Sequence, residues 1–198
     1  MSHYFETPDK PAALHEVQAT IWDDEYTFWS APGVFSAHRL DPGTRVLFRA
    51  TQPPPASARR LLDLGCGFGP IAVALARNCP DARVDAVDVN ALACELTARN
   101  AERFGVGDRV HSGHPGSIEP QASYDEIWSN PPIRVGKTAL HDLLMTWLPR
   151  LRAGGIAWLV VGRNLGADSL QTWLIDQGWP TDRVASSKGY RVLRIQPE

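Results

Sequence analysis

Cysteine is scarce in this chain: three residues in 198, at Cys66, Cys79 and Cys94. Their spacing makes neither an even disulfide framework nor a metal-ligand cluster, which excludes a disulfide-rich scaffold and points to a reducing cytosol. No apolar run approaches the ~18 residues that a membrane span needs. The opening MSHYFETPDK has no basic-then-apolar leader, so secretion is not expected. Internal repeats are missing, and low complexity is confined to Pro53-Pro54-Pro55. Net positive charge is missing too: the balance is −2, so the whole chain carries no electrostatic footprint for nucleic acid. What is present is 43% hydrophobic, too apolar for disorder and enough for one soluble intracellular domain with a core. The charge is uneven, however: residues 1–129 are net −6 and residues 130–198 net +4. That bias suits a polyanionic partner or a scatter of solvated arginines equally well.

The three prolines read as a stiff linker over 53–57, dividing an N-terminal segment (1–52) from a regular α/β alternation (58–198). In the first part, residues 17–22 and 25–29 flank Asp23-Asp24 and predict a β-hairpin, and a helix is expected after Asp41 with Pro42 at its first position. In the second part, strands are predicted over 60–64, 84–89, 109–112, 124–129 and 157–161. Helices are predicted over 70–79, 91–104, 137–151 and 167–177, with Gly154-Gly155 ending the third. Two closing strands, 183–187 and 190–195, joined at Lys188-Gly189, predict an antiparallel edge. The expected fold is a doubly wound, mostly parallel α/β sheet with that C-terminal edge and an N-terminal hairpin extension. In such sheets ligands bind at the carboxyl ends of the strands.

Asp63-Leu64-Gly65-Cys66-Gly67-Phe68-Gly69 follows the first of these parallel strands and precedes a helix. Its glycines allow a tight turn and close approach of a ligand. Asp88 ends the next strand, where a carboxylate accepts from both ribose hydroxyls. A dinucleotide fingerprint wants a third glycine where this chain has Pro70. The leading acid would repel a pyrophosphate and suits a cationic, amino-acid-bearing ligand. S-adenosylmethionine, with its sulfonium and α-amino group, has that chemistry.

At the end of the fourth parallel strand stands Ser129-Asn130-Pro131-Pro132-Ile133. Two prolines remove two backbone donors, which frees carbonyls to point outward. A planar amine on an aromatic ring or amide has a delocalised lone pair. An Asn oxygen and a proline carbonyl can each accept one of its N–H groups, aim the nitrogen at a methyl group and stabilise the developing charge.

These stretches resemble the class I S-adenosylmethionine-dependent methyltransferases of the small-domain family, which includes the RsmC-type ribosomal RNA guanine-N2 methyltransferases. The similarity is carried by HYF at 3–5, GVFS at 33–36, DPGT at 41–44, DLGCGFGP at 63–70, DVN at 88–90, SNPPIRVGK at 129–137, LH at 140–141 and KGYRVLR at 188–194. The double-domain members have an extra N-terminal domain; the stand-alone branch is more similar. The resemblance implies a Rossmann-like methyltransferase sheet with Asp63, Gly65, Cys66 and Gly67 around the methionine end of the cofactor. It also implies Asp88 on the ribose, Val89 beside the adenine, and Asn130 and Pro131 holding the target amine, with Pro132 part of the same catalytic corner and Asn130 also among the cofactor-binding residues. Two positions depart from the family pattern. His114 stands where many relatives carry an acid that meets the adenine amino group, and Ile133 stands where an aromatic often stacks on the base, implying apolar packing instead. Phe35, in the GVFS loop, is expected to cover the cofactor.

Methyl transfer to an amine needs no strong base, so His141 is not counted as catalytic, and no metal site is expected. Arg134 and Lys137 read equally as phosphate contacts or as a solvated helix start. The expected activity is N-methylation of an exocyclic amine of a nucleic-acid base, guanine N2 of ribosomal RNA. The alternatives are a protein glutamine N-methyltransferase and a cofactor-binding module without activity. RNA or a ribosomal particle is the expected partner, and the small size leaves room for a partner chain or a second copy.

Overall fold

The computed structural model describes residues 13–131 and 136–197. The HYF stretch at 3–5 lies outside them, as do Pro132, Ile133 and Arg134 of the proline corner. An N-terminal hairpin pairs β1 (His15–Ile21) with β2 (Asp24–Ser30). Its turn is Trp22-Asp23, both at positive φ (47° and 70°), one residue earlier than the Asp23-Asp24 turn predicted. Positive φ at both central residues matches the twist of the flanking strands, although tryptophan is a poor choice there. Here its indole is anchored: Nε1 donates to the Thr51 carbonyl (3.1 Å), and the ring packs edge-on against Phe48 and Trp128. Tertiary packing therefore sets the turn.

After α1 (Pro42–Ala50), the chain builds β3 (Arg60–Leu64), α2 (Pro70–Asn78), β4 (Arg83–Val87), α3 (Ala91–Arg103), β5 (Val110–Gly113) and β6 (Tyr124–Ser129). There follow α4 (Lys137–Trp147), β7 (Leu151–Gly162), α5 (Ala167–Asp176), β8 (Thr181–Ser187) and β9 (Tyr190–Ile195). Seven strands form one sheet in the order β5-β4-β3-β6-β7-β9-β8. The first five run parallel to one another, and β9 runs antiparallel to both β7 and β8. This is the doubly wound sheet with an antiparallel edge that the alternation predicts. Strand order reverses beside β3, the topological switch point at which such sheets open a crevice.

Alternate strand residues feed two cores. Leu61, Trp128, Val160 and Val192 face the layer of α1, α2, α3 and the hairpin; Leu62, Ile127, Leu159 and Leu193 face α4 and α5. The 53–55 stretch is no free linker, since Pro54 is buried and its carbonyl accepts from the Cys79 thiol (3.8 Å). Helix α4 stops at Trp147, earlier than the predicted Leu151, because Pro149 has no N–H to continue the ladder. Gly154 and Gly155 do not end that helix. They sit inside β7, at a bulge where Tyr124 pairs with Leu151 but Glu126 pairs with Ile156. A Cβ on Gly155 would stand 3.0 Å from the carbonyls of Arg152 and Asp125, so the bulge needs glycine.

Glu126 is one of three buried acids among the described residues, with Asp63 and Asp85. Glu126 Oε2 accepts the indole N–H of Trp128 (2.8 Å) and of Trp158 (3.2 Å). Burial pushes its carboxyl up to about 7, against the two indole bonds that favour the charged form. The native state thus holds a proton that the unfolded chain releases nearer its ordinary carboxylate value. Stability from this group is full at low pH and is lost as pH rises towards about 7. Denaturant titrations should find wild type less stable at about pH 8 than at about pH 5. Glu126→Gln should shrink that difference without abolishing it, since Asp63 is raised to about 8 and titrates in the same sense. An unchanged difference in the variant would remove Glu126 from the account.

Candidate active site

The carboxyl ends of β3, β4, β6 and β7 open onto one cavity of about 450 Å³, within the range of small-molecule sites. From β3 come Gly65 and Gly67, at φ +84° and +57°. Both conformations are costly for a side chain. Nothing lies within 4 Å of where a Gly67 Cβ would stand, so that position faces open space. The N–H groups of Gly65 and Cys66 donate to the Val87 carbonyl (2.8 and 3.0 Å), which stitches the loop to β4. Asp88 falls just beyond β4, whose end is Val87. Its carboxylate turns back into the loops, Oδ2 accepting from Gly67 N–H (3.0 Å) and Oδ1 from Asn90 N–H (2.9 Å). Burial raises the Asp88 carboxyl despite these bonds. Asn90 Nδ2 donates to the Gly33 carbonyl (2.8 Å), tying the GVFS loop to the same rim.

Seven large apolar side chains are exposed among the described residues, and three of them, Phe35, Val89 and Leu165, line this cavity. Apolar walls around a few polar groups suit flat rings. Asp63 sits behind the glycine loop and is fully buried: Oδ2 accepts from Ala72 N–H (2.9 Å), while Oδ1 has no partner. Burial, with the Asp88 charge adding, pushes its carboxyl up to about 8. Cys66 is buried and lines a small side recess, with its Sγ accepting from Thr97 Oγ1 (3.4 Å). His114 is turned away from the cavity. Its Nδ1 accepts from Gly116 N–H (3.1 Å) and caps a short turn, and Pro115 is the residue that lines the wall. His141 stacks flat on Trp173 (3.6 Å between centroids), clamping α4 to α5.

At the end of β6, Asn130 and Pro131 line the cavity opposite Asp88. Both Nδ2 hydrogens of Asn130 are taken: one by Asp41 Oδ1 (2.7 Å), the other by Thr44 Oγ1 (2.9 Å). A carboxylate oxygen only accepts, so the face of the amide towards Asp41 has to be its NH₂. The amide oxygen is thereby left on the other side, free to accept. The same Asp41 oxygen caps α1, accepting from Gly43 N–H (2.7 Å) and Thr44 N–H (3.2 Å). Sequence reading placed Asp41 just before a helix and Asn130 as an acceptor, but found neither the Asp41 cap nor the bond between the two across 89 positions. It also missed Tyr190, Leu143 and Leu165 as lining residues. The KGYRVLR stretch held the only available signal, for Tyr190.

The profile of the methyltransferase small domain matches residues 25–194. This chain belongs to that family. It is 31% identical to the uncharacterised Bacillus subtilis protein YbxB, over 98% of both chains. It is 39% identical to ribosomal RNA small subunit methyltransferase C of Hahella chejuensis, over 72% of this chain and 42% of that protein. Among solved structures it resembles Thermus thermophilus RsmC, a 16S rRNA N2 G1207 methyltransferase in complex with AdoMet and guanosine. The TM-score is 0.83 at 27% identity, covering 96% of this chain and 52% of the other. The chain thus spans about half the length or less of the RsmC relatives, and nearly all of YbxB.

The double duty of Asp41 is testable by thermal melting. Asp41→Ala should cost about 1 kcal/mol through the lost helix cap, and Asp41→Asn, an equivalent cap, should melt close to wild type. Equal melting of all three proteins would contradict the cap.

Proposed function

We propose that this small-domain methyltransferase transfers the methyl group of S-adenosylmethionine to an exocyclic amine of a nucleic-acid base, guanine N2 of ribosomal RNA. The observation that carries the proposal is the Asn130 amide, fixed with its oxygen free, on the wall facing Asp88 and the glycine loop. The residues fit the cofactor. Asp63 has an unpartnered buried oxygen for an ammonium group behind the loop, Gly67 leaves open space that a side chain would fill, and Gly65 lines the same wall at positive φ. Asp88 stands by for a ribose diol, with Val89 and Phe35 as apolar walls for an adenine. The guanosine and AdoMet of the T. thermophilus relative agree with this pairing.

When bound, the cofactor would supply an electrophilic methyl group on a sulfonium, whose sulfur keeps the bonding pair and departs as a neutral thioether. The chain supplies placement. Asn130 Oδ1 accepts one N–H of the guanine amine and the Pro131 carbonyl the other, which fixes the nitrogen and stabilises the positive charge that grows on it. Asp41 and Thr44 keep the amide from turning its NH₂ towards the substrate. The surplus proton leaves to water after transfer, so no buried base is required.

Asn130→Ala should lower kcat on ribosomal RNA by about 100-fold or more, in line with removal of one preorganised polar group. Cofactor affinity, read by calorimetry, should move far less. Methylation at the wild-type rate would remove the corner from the mechanism. Radiolabel entering protein bands while RNA stays unlabelled would replace the substrate with a glutamine amide.

Asp63 gives a second test. With its carboxyl raised to about 8 it is mostly protonated at neutral pH, and an ammonium brought against it favours the ionised form. S-adenosylmethionine binding at pH 7 should therefore release a proton, seen as a binding heat that depends on the ionisation heat of the buffer. Asp63→Asn should abolish that dependence. Wild-type binding without proton release would count against contact between Asp63 and the ligand's ammonium.

A further inference from the structure

The positive charge excess of residues 130–198 sorts itself in the fold. Arg183 and Arg191 share Asp168 (3.1 and 3.4 Å), Arg194 pairs with Asp182 (2.9 Å) and Arg152 with Asp125 (2.7 Å). Each of those four arginines is ion-paired, two of them on one carboxylate. Among the described residues of this segment, Lys137, Arg150, Arg163 and Lys188 remain without an acidic partner. Arg150 lies before β7, at the amino end of that strand, over the Trp147 ring. The other three gather at the opposite edge. Lys137 opens α4 just after the proline corner, and its Cε lies 3.8 Å from where a Gly166 Cβ would stand. Arg163 directly follows β7, between Gly162 and Leu165, both of which line the cavity. Lys188 occupies the β8–β9 turn, brought to the same place because Gly162 pairs with Tyr190 and Arg163 N–H donates to the Gly189 carbonyl (2.7 Å). All three side chains are exposed.

We propose that Lys137, Arg163 and Lys188 form the contact surface for the RNA phosphates flanking the target nucleotide; this rests on the RNA reading of the cavity. The geometry fits that use. A base that enters the cavity between Asn130 and Leu165 leaves its own backbone at the mouth, where these cations stand. Sequence-specific RNA enzymes act on unstacked bases, whose sugar-phosphate chain must be held outside the pocket. Three exposed cations can hold a backbone without reading its sequence. In a chain of net charge −2, a local group of three exposed cations beside the opening gives a polyanion a place to bind that the overall charge does not.

The test compares wild type with the Lys137→Ala, Arg163→Ala, Lys188→Ala triple variant and with Arg83→Ala, an exposed arginine at the amino end of β4. Deproteinised ribosomal RNA is titrated and methylated across a salt series, with S-adenosylmethionine affinity measured in parallel. For single-stranded RNA the slope of log affinity against log salt should flatten by roughly 0.7 per lost contact, about 2 for the triple variant. Its KM for RNA should rise by more than its kcat falls, with cofactor affinity and the Arg83→Ala control at wild-type values. An unchanged slope and KM in the triple variant, while wild type methylates RNA, would overturn the surface alone. An equal loss in the control would overturn it too, reducing the effect to bulk charge. Wild-type protein that neither binds nor methylates RNA would overturn the reading on which the surface stands.

Discussion

A primary amide beside a carboxylate has no choice of face. Asn130 could present either its oxygen or its NH₂ to the cavity, and the two ends would do opposite chemistry: one accepts from an amine, the other repels it. Asp41 decides, because it can only accept, and Thr44 takes the second hydrogen. The orientation is held by α1, an element outside the parallel sheet, while the backbone of Asn130 is held by β6. This wall of the cavity is therefore assembled from two separate parts of the fold, and the helix cap of one is the orienting group of the other.

On the facing wall the chain uses buried acids in place of exposed ones. Asp63 and Asp88 are raised by burial; Asp88 accepts from Gly67 N–H of the glycine loop, and Asp63 from Ala72 N–H in the first turn of α2. A carboxyl that is expensive to ionise waits for a cation, since a positive ligand recovers what desolvation withheld. This arrangement favours a cationic, diol-bearing ligand over a phosphate ester, for which helix N-termini and arginines are the usual partners.

Most of the sheet could be read from the sequence because its apolar alternation is long and consistent: Leu61 and Leu62, Ile127 and Trp128, or Val192 and Leu193 each send one side chain to either core. The hairpin turn and the end of α4 could not. Trp22 adopts a positive φ because its indole is held by Thr51, Phe48 and Trp128, none of them local, and Gly154-Gly155 looks like a helix stop while serving a bulge. The site divides along the same line. Loops and corners at strand ends carry short signals, so Gly65, Gly67, Asp88 and Asn130 were legible. Asp41's hold on Asn130, the depth of Asp63 and the turning away of His114 depend on packing between distant segments.

Glu126 couples its surroundings in another way. Two indoles donate to one of its oxygens, and Trp22 touches the same aromatic group through Trp128. A carboxyl that changes charge near neutrality beside hydrogen-bonded indoles alters the field felt by their excited states. Trp128 and Trp158 are thus placed to act as an internal electrometer for this carboxyl, chromophores that the chain already carries in its core.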